Sequence, residues 1–221
     1  MCLFSQTGSL PAPSAAGLFS LMQDTAAASA EALGAGRAAL LEKNLAWVIL
    51  RSSLRLSRPL CGKIRIETYT GCARLGLCPR YFRLFDKDGL AGEATTLWTL
   101  LDLTFRRAVP ADFPEVLPPP GVRPALRIPA YPQPIEGEER VCEHSFSEKD
   151  VDQNGHINNA AYLRALEAAI PGAITALDVV YQKEILPGKP AQAHWICREK
   201  DFFFRIFSEN EAHFSASGTL F

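Results

Sequence analysis

Between Arg107 and Glu139 the chain places nine of its 16 prolines, from Pro110 to Pro134. Proline has no N–H to give to a ladder and its ring fixes φ, so a stretch this dense is neither helix interior nor central strand. It reads as an extended linker over 108–139, and whatever folds must fold on either side of it. The two flanking parts, 1–107 and 140–221, are patterned alike.

In the first part, apolar and small residues from Leu18 to Leu33 recur at helical spacing, with Gly34 and Gly36 as the stop. Alternating runs follow at Trp47–Leu56, Lys63–Tyr69, Arg80–Phe85 and Leu90–Leu101, the last two joined by the turn sequence Asp86-Lys87-Asp88-Gly89. A short first strand is expected over Cys2–Gln6, before Gly8. In the second part a strand at Val141–Phe146 precedes a helix from Asn158 to Ala169, stopped by Pro171 and Gly172. Strands are then expected at Ala176–Ile185, Pro190–Cys197, Phe202–Phe207 and His213–Leu220. Helix followed by four strands therefore occurs twice. Arg58-Pro59-Leu60-Cys61-Gly62-Lys63 also matches Glu184-Ile185-Leu186-Pro187-Gly188-Lys189 in its Gly-Lys ending, which supports a tandem duplication. A long helix covered by an antiparallel sheet is an α+β arrangement.

With 48% hydrophobic and 21% charged residues, the composition is that of a globular protein. A net charge of −1 excludes bulk attraction to nucleic acid. Apolar runs fall far short of the roughly 20 residues that span a bilayer, and the first residues lack the pattern of a secretory or transit peptide. A cytoplasmic location is expected. The six cysteines are scattered without metal-like spacing and read as reduced thiols. Between Arg51 and Arg83 basic residues outnumber acidic ones, and Arg51, Arg55, Arg74 and Arg80 are candidates for docking an acidic partner. A solvated strand face accounts for them equally well.

The densest polar segment is Asp150-Val151-Asp152-Gln153-Asn154-Gly155-His156-Ile157-Asn158-Asn159, at the start of the second helix. Asp150, Asp152, Asn154 and Gly155 fit the opening of a calcium loop, but Ala161 occupies the position of its bidentate glutamate, so no metal is expected. Helix capping explains Asn158 or Asn159, though not His156. In the third reading the segment is a hydrolytic site. Backbone N–H groups at a helix start, with Gly155, Asn158 and Asn159, suit an oxygen that becomes negative during acyl transfer. Asp152, Asn154 and His156 alternate, and Glu184 at the end of the following strand could return a carboxylate to them. No Gly-x-Ser-x-Gly elbow occurs, and Gly34-Ala35-Gly36 follows a helix rather than a strand, which argues against a serine hydrolase and a dinucleotide fold.

The run Asp152 to Asn159 with Tyr162 resembles the active-site signature of the fatty acyl-acyl carrier protein thioesterases, a family of two fused hot dog domains. Gln23-Asp24, Trp47 through Arg51, Glu67-Thr68, Leu97-Trp98, Asp102 and Arg106-Arg107 resemble the same family in the first part. The resemblance implies tandem hot dog domains over 1–107 and 140–221, and a catalytic set of Asp152, Asn154, His156 and Glu184. It also implies hydrolysis of an acyl thioester without a cofactor, with acyl carrier protein as partner. Plant members carry a cysteine after the glutamate, where this chain has Ile185. Aligning the Gly-Lys loops sets Arg58 opposite Glu184, so one active site per chain is expected, with the first domain supplying an acyl pocket. A hot dog hydrolase of acyl-coenzyme A and a silent acyl-binding module are the alternatives. A homodimer is possible.

Overall fold

The structure is a computed structural model that describes residues 3–110, 121–152, 155 and 157–221. The first part contains β1 (Phe4–Leu10), α1 (Ala15–Ala32), α2 (Arg37–Leu41), β2 (Leu45–Leu56), β3 (Gly62–Thr70), β4 (Leu77–Asp86), β5 (Gly89–Asp102) and β6 (Arg107–Val109). The second contains β7 (Arg140–Ser145), a 3-10 turn (Glu148–Asp150), α3 (Asn159–Ala169), β8 (Ile174–Tyr181), β9 (Pro190–Arg198), β10 (Asp201–Ser208) and β11 (Glu211–Leu220). The α+β arrangement expected from the sequence is present.

All the strands join one antiparallel sheet, in the order β1-β3-β4-β5-β2-β8-β11-β10-β9-β7, with β6 beside β5. The order is mirrored about the β2·β8 junction: each strand before it has a counterpart in the same chain position after it. The junction runs from Arg51 opposite Val180 to Arg55 opposite Ala176. Side chains fasten it too, since Arg55 forms a two-pronged ion pair with Asp178 and Ser53 donates to the same carboxylate at 2.5 Å. The matched Gly-Lys loops also share a conformation, with Gly62 at φ 73° and Gly188 at φ 77°. That is a left-handed backbone, which glycine adopts without a steric penalty.

α1 begins at Ser14, whose hydroxyl accepts from Gly17 N–H at 2.9 Å. Glu167 of α3 completes the cap, taking the N–H groups of Ala15 and Ala16 and the Ser14 hydroxyl, so the start of one helix is neutralised by the end of the other. Leu18, Phe19 and Met22 are fully buried in a core that α1, α3 and both halves of the sheet share. Burial of each contributes about 1.5–3 kcal/mol. Towards its C-terminus the helix switches to Thr25, Ala26, Ala27 and Ala30, side chains too small to fill the same space.

Three expectations are corrected. β1 does not stop near Gly8 but pairs with β3 as far as Leu10, because a side chain at Gly8 would collide with Leu21 of α1 and glycine lets the strand pass. β8 ends at Tyr181 rather than Ile185: the N–H groups of Gln182 and Lys183 both turn to the single carbonyl of His213, which terminates the ladder. The linker does not begin at 108, since β6 straddles that point.

Residues 121–139 are extended, and they cross the sheet from the β4 and β5 side to β11. Leu126 and Arg127 carbonyls accept from Thr95 of β5 and Tyr81 of β4, Ala130 N–H donates to Ser53 of β2, and Gln133 N–H donates to Ser217 of β11.

Candidate active site

The segment leading into α3 is pinned at both ends. Ser147 and Asp150 cap each other's backbone across the 3-10 turn, Arg164 of α3 reaches the other Asp150 oxygen at 2.7 Å, and Asn158 N–H donates to the Asp150 carbonyl at 2.7 Å. Both carboxylate oxygens of Asp150 are thus engaged in holding the turn, and the charge-assisted bonds hold its pKa below the usual carboxylate range against the opposing effect of burial. Val151 bridges Ile157, whose buried side chain anchors the loop in the core. Gly155 is exposed at φ 82°, and its N–H closes on the Asp152 carbonyl at 3.0 Å. Asn158 is the N-cap of α3, its side chain accepting from Ala160 N–H at 2.8 Å. Asn154 and His156 lie outside the described residues, as does Gln153.

Glu184 sits in the loop after β8, half-buried, and that loop is held by its backbone. The Glu184 carbonyl faces His213 Nδ1 at 3.0 Å, and the N–H of the buried Ile185 donates to the Tyr162 hydroxyl of α3 at 3.2 Å. Burial first, and then the charge of Glu184, pushes the Tyr162 phenol up to about 12, so it stays neutral and can accept that bond. Tyr162 is itself fixed by stacking on Phe214, with ring centroids 5.2 Å apart. The Glu184 carboxylate receives Arg106 Nη2 at 2.6 Å, a contact from the first part of the chain to the second. Sequence reading did not pair these two residues, and only the Arg106-Arg107 doublet hinted at a role there.

A cavity of about 370 Å³ opens beside this segment. It is lined by Asp152, Asn158 and Asn159, by the alanine half of α1, by Trp47 of β2 and Trp98 of β5, and by Thr70, Cys78 and Arg80 of β3 and β4. The space exists because Ala26, Ala27 and Ala30 leave unfilled what Leu18 and Phe19 fill one end away. Asp152, Asn158 and Asn159 are therefore brought together on one cavity, whereas Glu184 is not among its lining residues.

The docking candidates fare unevenly. Arg80 is 6% exposed and cannot meet a partner at the surface, a correction that follows from its place on an inward face of β4. Arg55 is committed to Asp178, and Arg51 donates to the Pro129 carbonyl while lying over the Tyr131 ring. Arg58, Arg65 and Arg83 pair with Asp86 and Glu67, so much of the apparent basic excess is matched by acidic partners of the same part of the chain. Arg74 is exposed.

No group of His, Cys, Asp or Glu that could hold a metal occurs among the described residues, and no described helix is long and apolar enough to cross a membrane.

Residues 14–116 match the family model of the acyl-ACP thioesterase N-terminal domain. No curated protein sequence matches the chain. Among solved structures, the chain is similar over 98% of its length to 97% of an acyl-ACP thioesterase from Bacteroides thetaiotaomicron, at 20% identity and a TM-score of 0.78. It is similar over 98% of its length to 96% of the 12:0-ACP thioesterase from Umbellularia californica, at 15% identity and a TM-score of 0.77. At these identities the structural likeness speaks for the fold, which is consistent with the hot dog fold. The family model over the first part and the shared fold over the whole length together support the likeness of this chain to the acyl-ACP thioesterases.

Proposed function

We propose that the chain hydrolyses a fatty acyl thioester borne on acyl carrier protein. The observation that carries this reading is the cavity shared by the two parts of the chain, lined both by the alanine half of α1 and by Asp152, Asn158 and Asn159. An acyl chain in that space would place its thioester beside the start of α3. Mirrored strand order about β2·β8 supports two tandem hot dog domains, the first, through β6, supplying the pocket and the second, from β7, the chemistry, tied by the proline-dense stretch between them.

In the proposed reaction Glu184 takes a proton from water as its oxygen attacks the thioester carbonyl carbon. The side-chain amides of Asn158 and Asn159, which line the cavity, stabilise the resulting oxyanion, the N–H groups of Gly155, Asn158 and Ala160 being already bonded to Asp152, Asp150 and the Asn158 side chain. The C–S bond then breaks, the proton passes to the departing sulfur, and a free fatty acid and the carrier thiol are released. Asn154 and His156, by the family resemblance, orient the water or the thioester, and Asp152 steadies them. Glu184 must part from Arg106 to act as base, so arrival of substrate is expected to break that ion pair. For carrier docking, Arg74 is the candidate that retains an exposed guanidinium, and Arg106 stands near the Glu184 side of the site.

Hydrolysis measured over acyl carrier protein and coenzyme A thioesters of graded length tests the reading. Turnover faster on the carrier protein is expected, with the preference shrinking as salt rises, since exposed charges act mainly on encounter and are screened beyond about 8 Å at physiological salt. Preference for coenzyme A would reassign the substrate, and binding without turnover would make the chain an acyl-binding module.

A further inference from the structure

Arg80 lines the cavity described above, and its guanidinium is placed against its own electrostatics. The residue is 6% exposed, and among the described residues no carboxylate forms an ion pair with it. Its one hydrogen bond is long, from Nη1 to the Thr68 hydroxyl at 3.3 Å, and that hydroxyl already donates to the Tyr81 carbonyl. Asp24 and Glu31 also line the cavity, but both are exposed, and Glu31 accepts from Arg37 N–H. Burial pulls the guanidinium down only to about 10, which leaves it charged at neutral pH.

A second donor points the same way. Gln23 of α1 lines this cavity, and its Nε2 is buried with no hydrogen-bond partner. A buried charge without a partner is among the most destabilising features a fold can carry, and an unmade amide bond adds to it. Among the described residues Arg80 has no charged partner and Gln23 Nε2 no acceptor, and both residues line a space large enough for a ligand.

We infer that the cavity selects an acyl chain carrying an oxygen function beyond its thioester end, a carboxylate, keto or hydroxyl group that accepts from Arg80 and Gln23. This rests on the acyl-thioesterase reading and names its substrate class. Arg80 stands on β4, whereas Asp152, Asn158 and Asn159 come from the second part of the chain; in the arrangement inferred, the thioester lies at the latter and the guanidinium meets the acyl chain. The indole rings of Trp47 and Trp98 give the intervening methylenes an apolar wall. An unsubstituted hydrocarbon would leave both donors desolvated and unpaired, which makes the pocket discriminate against it.

The test compares thioesters of equal chain length on one carrier: unsubstituted, hydroxylated within the chain or at its end, and carboxylated at its end. The intact protein should favour an oxygenated chain by roughly 10- to 100-fold in kcat/KM, the range of a charge-assisted hydrogen bond. Arg80→Met should abolish that ratio and raise the melting temperature, because an apolar side chain removes an uncompensated buried charge. Gln23→Leu should shrink the ratio without abolishing it, and serves if the first variant fails to fold. Equal or better turnover of the unsubstituted chain at every length by the intact protein overturns the inference. So does an Arg80→Met variant that melts lower and keeps the ratio, the behaviour of a structural arginine. Absence of hydrolysis with every thioester would instead sink the thioesterase reading. In that case binding of non-hydrolysable acyl-pantetheine amides, with and without the oxygen function, still decides whether the pocket discriminates.

Discussion

The catalytic carboxylate proposed here depends on side chains that never touch substrate. Glu184 follows the end of β8, where strand hydrogen bonding has ceased, and its loop keeps its place through His213 at the Glu184 carbonyl and Tyr162 at the next N–H. Glu184→Gln keeps the shape and removes the base, so turnover should fall roughly 10²- to 10⁴-fold with little change in substrate binding. Near-wild-type turnover in a folded variant would take Glu184 out of the mechanism. Tyr162→Phe keeps the stacked ring and removes only the acceptor of Ile185 N–H. A buried donor left unmet costs about 1–3 kcal/mol, so denaturant unfolding should show a loss of that order. The loosened loop should also lower kcat several-fold while KM holds. A variant that loses stability but keeps kcat would show that Tyr162 supports the core alone. The calcium reading of the same segment has a physical answer in Asp150, whose two oxygens are occupied by Arg164 and Ser147.

Elements were easiest to read where their ends are set by local chemistry. The turn expected at Asp86-Lys87-Asp88-Gly89 joins β4 to β5, and Gly89 there has φ 105°. The Asp86 carboxylate accepts from Asp88 N–H and from two nitrogens of Arg58. Chiefly the Arg58 hydrogen bonds hold its pKa at about 2, below an ordinary value of 3.8. A depressed carboxylate contributes stability above the unfolded pKa and loses it as pH falls through the folded one. The contribution should therefore be complete above about pH 4 and vanish towards pH 2. Melting curves of the wild type and Asp86→Asn should differ at neutral pH and converge over that window; a constant difference would show that Asp86 acts by geometry instead. Where ends depend on distant partners the reading slipped. α2 is five residues with no side-chain cap, and β8 stops because two N–H groups share the His213 carbonyl.

For the whole molecule, the β2·β8 junction and the shared core decide whether the two parts unfold together. Leu54 and Leu177 face each other across the junction and are both fully buried. Leu177→Ala should cost about 2–5 kcal/mol. For a chain of this size that corresponds to a drop in melting temperature of roughly 5–15 °C. The transition should remain single, because the lost contact belongs to both parts at once. Two separated calorimetric transitions in the wild type would show independently stable parts and contradict the role given to the junction.

Periodicity, turn residues and the proline-dense stretch determined the α+β class, the repeated helix-and-strands order and nearly every strand, because each of these signals is written in neighbouring residues. The segment Asp150–Asn159 stands out in the sequence, since polar residues of that kind at a helix start are unusual whatever surrounds them, and of it the structure sets Asp152, Asn158 and Asn159 on the cavity. The docking role given to Arg80 was wrong for a physical reason: alternation tells which residues share a face of a strand, not which face another element will cover. α1 and the sheet covered that one, turning a presumed surface charge into a buried cation on a cavity wall. The cavity itself is likewise a tertiary fact. Alanines in α1 read from the sequence as good helix formers, and only packing against Trp47, Trp98 and the start of α3 makes the volume they leave a place for a ligand.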